Sequence, residues 1–218
     1  MQSGKFITIE GGEGVGKSTQ IAAVREALEA AGLKTVLTRE PGGTERAERI
    51  RDLLLIPTAE PMPVSCELLL MFAARAAHVE NLIRPALQRG TWVICDRFTD
   101  ATYAYQGAGR GVPLDEISIL ERMAIGGLRP DLTLLLDAPI ELAMERARQR
   151  NLERGSNTSD RFEREQSDFF KRVRAQYLEI ARAEPDRFAV IDAARSKDEV
   201  KGAVQHVIRE FILRMASR

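Results

Sequence analysis

The chain has 218 residues, and its 32 Lys and Arg residues balance its 32 Asp and Glu residues, so the formal net charge is zero. A zero net charge argues against a nucleic-acid-binding protein, and no apolar run approaches the roughly 20 residues that a membrane-spanning helix needs. The chain has no signal-peptide pattern, and Cys66 and Cys95 lack the spacing of a metal or redox motif, so we expect one cytoplasmic domain over residues 1–218.

Short apolar runs predict five buried strands. They lie at 6–10, 35–40, 92–96, 132–137 and 188–192, and each ends on Glu or Asp. Helical spacing fills the stretches between them, at 18–31, 47–55, 66–88, 116–125, 139–150, 168–183 and 198–215. This alternation predicts a three-layer α/β fold with a five-stranded parallel sheet flanked by helices. Ligands of such sheets bind beyond the carboxyl ends of the strands, where the acidic residues fall.

A glycine-rich loop follows the first predicted strand and precedes the first predicted helix. Its sequence, GGEGVGKST, matches the phosphate-binding pattern G-x-x-x-x-G-K-[ST]. Glycines let backbone N–H groups surround a phosphate, Lys17 can reach the β- and γ-phosphates, and the Ser18 hydroxyl can bind Mg²⁺. The predicted ATP-binding loop therefore comprises Gly11, Gly12, Glu13, Gly14, Val15, Gly16, Lys17, Ser18 and Thr19. The alternative is a glycine-rich turn that binds nothing.

The third predicted strand ends on Asp96, which Arg97 follows. Asp96 is suited to hold Mg²⁺ directly or through water, and Arg97 offers a planar fork for a second phosphate. The alternative is a surface ion pair between neighbours. The Asn-Lys-x-Asp and DxxG motifs of switch GTPases are not found, which favours a small-molecule kinase.

Arginines cluster around the polar stretch 151–160. Arg146, Arg148, Arg150 and Arg154 precede or enter it, and Arg161 and Arg164 follow. Such arginines can close over a transferring phosphoryl group, so we predict a mobile lid at about 146–164. A solvated helix face and an RNA-binding patch are the alternatives.

The two histidines, His78 and His206, are both expected to lie away from the strand tips, so no general base is evident among them. A phosphate acceptor is already anionic near neutral pH and needs cations rather than a base. A chain rich in arginine and poor in histidine therefore favours a nucleoside monophosphate as the acceptor.

Six stretches, in order and over nearly the whole length, resemble the bacterial thymidylate kinases. They are GGEGVGKST, TREPGGT at 38–44, LMFAAR at 70–75, DRF at 96–98, AYQGAGRG at 104–111 and RPDLTLLLD at 129–137. The resemblance implies a P-loop kinase fold and a homodimer that transfers a phosphoryl group from Mg-ATP to dTMP, forming dTDP. The rivals are a kinase with another acceptor, an ATP-binding regulatory module without transfer activity, and an RNA-binding protein.

The resemblance also assigns roles by position. It implies an acceptor pocket of Glu13, Glu40, Pro41, Arg51, Met71, Phe72, Arg75, Arg97, Thr102, Tyr105 and Gln106. It implies catalysis by Lys17, Asp96, Arg97, Arg146, Arg148, Arg150 and Arg161, with Ser18 and Asp96 toward the metal, and adenine near Arg146 and Arg195. Many relatives stack a phenylalanine on thymine four residues before the equivalent of Arg75. Here Met71 holds that position, and a local shift would give the role to Phe72.

Overall fold

The computed structural model describes residues 3–56, 58–153 and 166–216 of the chain. Five parallel strands form one sheet: β1 Phe6–Glu10, β2 Thr35–Arg39, β3 Trp92–Asp96, β4 Leu132–Asp137 and β5 Phe188–Asp192. Their order across the sheet is β2-β3-β1-β4-β5, which places the phosphate-loop strand in the centre. The predicted strands are confirmed, except that β2 ends one residue early and Glu40 lies just beyond it.

The helices surround this sheet. In chain order they are α1 Lys17–Ala30, α2 Glu45–Leu55, α3 Val64–His78, α4 Arg84–Gln88, α5 Thr99–Thr102, α6 Leu114–Ile125, α7 Ile140–Glu153, α8 Ser167–Ala183 and α9 Lys197–Ala216. A π-helical stretch, Val79–Ile83, joins α3 to α4, so the helix predicted at 66–88 is continuous but irregular. None of the described helices is long and apolar enough to cross a membrane.

The helical stretch that α5 and the π-helix Tyr103–Gly109 form together was not among the predicted helices. Threonines, tyrosines and glycines dominate this stretch and are poor helix formers. This stretch is helical because its side chains pack in the protein interior. Tyr105 and Gln106 are buried, and the ring of Tyr105 packs edge-on against Phe169 of α8. Tertiary packing here outweighs local propensity.

Two apolar layers cover the two faces of the sheet. Alternate strand residues such as Ile7 and Ile94 pack with Val24 of α1 and Phe211 of α9. Their neighbours on the opposite face pack against the other helices, and Phe6 contacts Phe98 at a ring-centroid distance of 4.9 Å. The three-layer prediction is therefore confirmed.

The register of β1 against β3 brings the phosphate loop and the residues after β3 together. Ile9 lies opposite Asp96, and the backbone N–H of Arg97 donates to the Ile9 carbonyl at 3.0 Å. Arg97 has a φ of 69°, in the left-handed region that non-glycine residues rarely occupy. This backbone turn directs the chain after β3 past the phosphate loop.

Candidate active site

The phosphate loop needs its glycines mainly where it packs on the rest of the protein. Gly14 has a φ of 72°, and a Cβ there would overlap the carbonyl oxygen of Ala143 on α7. A Cβ at Gly11 would overlap the carbonyl oxygen of Leu136 at the end of β4. A Cβ at Gly12 would meet no atom of the described residues within 4 Å. The loop is therefore fixed against β4 and α7 while part of its surface stays accessible.

Lys17, the first residue of α1, is held over the loop by backbone carbonyls. Its Nζ donates to the carbonyl oxygens of Gly11 at 3.1 Å and Gly12 at 2.8 Å. Burial and the neighbouring Arg97 lower the pKa of Lys17 to about 8, although Glu13 and Asp96 act in the opposite direction. The ammonium group is thus prepositioned for an anionic ligand but incompletely stabilised without one.

Arg97 and Glu13 form the second charged unit of the site. The Arg97 guanidinium donates to Glu13 Oε1 at 2.5 Å and to the Gly11 carbonyl at 3.0 Å, and lies 4.8 Å from the ring centroid of Tyr105. Burial would raise the pKa of Glu13, but Arg97 and Lys17 together lower it to about 2. Glu13 is therefore a carboxylate, which fixes Arg97 beside the phosphate loop.

Asp96, at the tip of β3, fits the role of a magnesium partner. Its Oδ1 is buried and has no hydrogen-bond partner among the residues that the structure describes. Ser18 lines the same cavity. Mg²⁺ is usually held by one or two protein oxygens together with phosphate oxygens and water, and this donor pair suits such a site. Within the described ranges, no cluster of three or more His, Cys, Asp or Glu side chains could hold a metal by itself.

One cavity of about 680 Å³ joins the phosphate loop to the predicted acceptor residues. Its acceptor side is lined by Glu13, Glu40, Pro41, Arg51, Met71, Arg75, Arg97, Thr102, Tyr105 and Gln106. Phe72 instead packs with Leu68 and Ile117 and lies beneath the guanidinium of Arg75, 4.9 Å from ring centroid to Cζ. Of the two candidates for the base stack, Met71 is the one that borders the cavity.

Two arginines in this cavity are oriented by neighbours that the structure identifies. Arg51 donates to the Pro41 carbonyl at 2.7 Å, just after the cis peptide bond between Glu40 and Pro41. Arg75 is buried, and its Nε donates to Glu40 Oε2 at 2.6 Å while its Nη2 donates to the Phe98 carbonyl at 3.2 Å. Its remaining nitrogen, Nη1, is buried and has no partner among the described residues.

The expectation that both histidines lie away from the strand tips was wrong for His78. Its Nδ1 lies 3.0 Å from Glu40 Oε1, just beyond β2, and its ring is completely buried. The sequence did not reveal this contact, because Glu40 and His78 are 38 residues apart and meet only where the end of α3 approaches β2 at Thr38. His206 lies on the exposed side of α9.

The lid arginines divide between two sides of α7. Arg146 and Arg150 both line the cavity, as their i, i+4 spacing predicts, and Arg146 donates to the Ala193 carbonyl at 2.7 Å. Arg148 lies on another side and pairs with Glu145 at 2.8 Å. Arg195 is exposed and pairs with Asp192 at 3.1 Å. The predicted residues Arg154, Arg161 and Arg164, and the polar stretch after Glu153, lie outside the described residues.

Glu10 and Tyr177 support the site and were not among the predicted site residues. Glu10 accepts the backbone N–H of Phe98 at 2.7 Å and the hydroxyl of Tyr177 at 2.8 Å. Burial, with the nearby Asp100, raises the pKa of Glu10 to about 8. The pair braces the backbone that follows Arg97. The acidic end of β1 signalled Glu10, whereas Tyr177 lies in an ordinary amphipathic helix and gave no signal.

Comparisons with known proteins agree on one family. A family model described as thymidylate kinase matches residues 9–204. The thymidylate kinase of Chromohalobacter salexigens is 58% identical over 205 residues, which is 94% of each chain. That of Pseudomonas syringae pv. tomato is 51% identical over 96% of this chain and 97% of its own. A crystal structure of thymidylate kinase from Ehrlichia chaffeensis matches with a TM-score of 0.74 at 33% identity, covering 95% of this chain and 99% of that chain.

Proposed function

The chain belongs to the thymidylate kinase family and uses ATP to phosphorylate dTMP to dTDP, and we propose that this transfer occurs in the cavity between the phosphate loop and Arg75. One observation carries the proposal: Lys17, Asp96 and Arg97 line the same cavity as the acceptor-side residue Arg75. A donor phosphate on the loop and an acceptor phosphate at Arg97 would therefore face each other. Phosphoryl transfer depends mainly on such alignment and on neutralising charge.

Arg97 is proposed to hold the phosphate of dTMP. It is already fixed by Gly11 and Glu13, so little side-chain freedom is lost when a phosphate binds. Arg51, anchored on the Pro41 carbonyl, lines the same region and adds a second cation. Because the acceptor phosphate is itself anionic near neutral pH, no general base is required of the protein.

The nucleoside of dTMP is proposed to lie between Met71 and Arg75. The unpartnered Nη1 of Arg75 is suited to donate to a thymine carbonyl, and Met71 offers an apolar surface to the base. Thr102 and Gln106 complete this end of the cavity. The ring of Tyr105, held beside Arg97, is proposed to leave no room for a ribose 2′-hydroxyl, with Glu13 facing the deoxyribose 3′-hydroxyl.

Mg²⁺ is proposed as the metal of the reaction, with Ser18 and Asp96 as its protein partners. The buried, unpartnered Oδ1 of Asp96 supports this assignment. When bound, the metal would neutralise phosphate charge in the transition state. Lys17 supplies the protein's own charge at the same place.

Among the lid arginines, Arg150 is proposed to act closest to the transferred group. It lines the cavity, and its charge contributes to lowering the pKa of Glu13. Arg146 is proposed to border the adenine of ATP together with residues 193–195, because it already bridges to the Ala193 carbonyl. For Arg148 and Arg161, a catalytic role is proposed from the resemblance alone.

A homodimer is proposed from the exposed apolar residues on three adjacent helices. Leu53 of α2, Leu69 of α3 and Ile119 and Met123 of α6 are between 55% and 85% exposed. Helix α3 packs against both α2 and α6, so the three helices that carry these residues are adjacent. Light scattering should give the mass of two chains, and a Leu69→Glu, Met123→Glu variant should give the mass of one.

We also propose a cytoplasmic location. Both cysteines are free, as is usual in the reducing cytoplasm.

The function is tested by Mg-ATP turnover with dTMP, dUMP, dCMP, AMP, GMP and thymidine as acceptors. ADP formation should depend on the acceptor and be fastest with dTMP. Arg97→Ala should lower the rate with dTMP by at least about 100-fold, the scale of losing one charge-stabilising group. Arg25→Ala, which removes an exposed arginine paired with Glu29 on α1, is the matched control and should keep the rate.

Two results would contradict the proposal. ATP binding without acceptor-dependent ADP formation would favour a regulatory module. Near-normal turnover in Arg97→Ala would remove that residue from the acceptor site.

A further inference from the structure

A series of hydrogen bonds runs from the half-buried Thr38 through the buried side chains of His78 and Glu40 to Arg75, which lines the acceptor cavity. Thr38 Oγ1 lies 2.6 Å from His78 Nε2, His78 Nδ1 lies 3.0 Å from Glu40 Oε1, and Glu40 Oε2 accepts from Arg75 Nε at 2.6 Å. His78 and Arg75 are 0% and 3% exposed, so bulk solvent does not reach these two side chains. His78 does not line the cavity and would not touch a ligand there.

The two oxygens of Glu40 determine the donor at one side of the His78 ring. Both oxygens of Glu40 accept N–H groups, so His78 Nδ1 carries a proton and donates it. On the other side of the ring, Nε2 is within hydrogen-bonding distance of the Thr38 hydroxyl, which can donate or accept. His78 thus ties Thr38 on β2 and Glu40 just after it to the last turn of α3.

The backbone at Gly43 packs closely against the histidine ring. Gly43 has a φ of 88°, and a Cβ there would overlap both Thr38 Oγ1 and His78 Nε2. The backbone of the loop after β2 therefore closes directly over the hydrogen bond between Thr38 and His78. A ring held from both sides can fix the carboxylate of Glu40 in one orientation.

From this geometry we propose that His78 is a positioning residue for dTMP, setting the direction of the Arg75 guanidinium through Glu40. Arg75 has one nitrogen on Glu40, one on the Phe98 carbonyl, and Nη1 without a partner among the residues that the structure describes. Turning Glu40 would therefore turn the nitrogen that is left for the base. The inference rests on the proposed function, because it assumes that Arg75 contacts the base of dTMP.

Three substitutions at His78 separate its two hydrogen bonds. His78→Asn keeps an N–H donor near the Nδ1 position and loses the partner of Thr38. His78→Gln keeps a polar group near the Nε2 position and loses the donor to Glu40, and His78→Leu removes both. Steady-state kinetics with dTMP and with ATP as the varied substrate, and with dCMP in place of dTMP, are measured for each.

We expect the KM for dTMP to rise about tenfold or more in His78→Leu and His78→Gln, the scale of one lost hydrogen bond to a charged group. His78→Asn should stay within about threefold of the unmodified enzyme, and the KM for ATP should change less than about twofold in all three. The preference for dTMP over dCMP should fall with the first two variants, because cytosine carries an amino group where thymine has a carbonyl. Thr38→Val, which leaves Glu40 its donor, should behave like His78→Asn.

Three outcomes would overturn the proposal. They are an unchanged KM for dTMP in His78→Leu and His78→Gln, equal rises for dTMP and ATP, and no advantage of His78→Asn over His78→Gln. If His78→Leu fails to fold, the comparison of the KM for dTMP between His78→Asn and His78→Gln tests the proposal by itself. Failure of the proposed function is distinguishable, since the unmodified enzyme would then show no dTMP-dependent turnover.

Discussion

The depressed pKa of Lys17 predicts that ATP binding weakens as the pH rises through about 8. A lysine ordinarily keeps its charge to beyond pH 10, but burial and Arg97 lower the pKa of Lys17 to about 8. In the ligand-free enzyme the ammonium group therefore loses its proton as the pH rises past that value. ATP phosphates favour the charged form, so binding above this pH must first restore the proton.

The size of the effect follows from linkage between protonation and binding. With a pKa of about 8, roughly 90% of the ligand-free enzyme carries a charged Lys17 at pH 7 and roughly 10% at pH 9. If ATP binds only the charged form, the apparent Kd rises about tenfold between these two pH values. The terminal phosphate of ATP has finished its own titration near pH 7 and contributes little to the change.

The assay is calorimetric titration of the enzyme with Mg-ATP, without dTMP, from pH 7 to pH 9.5. Lys17→Arg keeps a positive charge throughout this range and should reduce the change in Kd to less than about twofold. Glu10 has a pKa of about 8 as well, and Glu10→Gln should keep most of the dependence if Lys17 is its source. A flat Kd in the unmodified enzyme, or an equal slope in Lys17→Arg, would refute the reasoning.

Two further predictions concern packing around the site. Gly14→Ala should weaken ATP binding by more than about tenfold in calorimetry, because residue 14 has a φ of 72° and the new Cβ overlaps the backbone of α7. Gly202→Ala on α9, where a Cβ meets no atom of the described residues within 4 Å, is the control and should leave ATP binding unchanged. Equal effects of the two substitutions would contradict the packing argument. Arg187→Leu should lower the free energy of unfolding in urea by about 3 to 5 kcal/mol, because it leaves the buried Asp100 without its two hydrogen bonds at 2.8 and 3.0 Å. Arg25→Ala, which removes an exposed arginine, is the control and should change the free energy of unfolding little. A decrease of less than about 1 kcal/mol in the free energy of unfolding of Arg187→Leu would contradict the argument from the buried ion pair.

The strands and the phosphate loop could be predicted from the sequence because their signals are local. A short run of β-branched and aliphatic residues, such as 132–137, becomes a strand buried on both faces in almost any parallel sheet. The phosphate loop was likewise recognised from the local spacing of its glycines, lysine and serine, although Gly11 and Gly14 are also required by contacts with the distant Leu136 and Ala143. These signals located β1, β3, β4 and β5 to the residue.

The remainder of the site depends on contacts between distant segments. His78 and Glu40 are 38 residues apart, and they meet only because the folded chain brings the end of α3 to Thr38 and Glu40. The sequence could not decide between Met71 and Phe72 for the same reason. Both belong to an apolar run, and periodicity does not show which residue faces a cavity. Such contacts are properties of the assembled fold, and a pattern within one helix does not contain them.

The strand order β2-β3-β1-β4-β5 has a practical consequence for engineering. The residues proposed to bind the acceptor base follow β2 and β3 or lie on α3, whereas those proposed for adenine follow β4 and β5 on the other side of the phosphate loop. A library randomised at Met71 and Arg75 would therefore sample new acceptor bases while Arg146 and its partner Ala193 stay untouched. Directed evolution of the two ligand preferences can proceed in separate rounds on the two halves of one sheet.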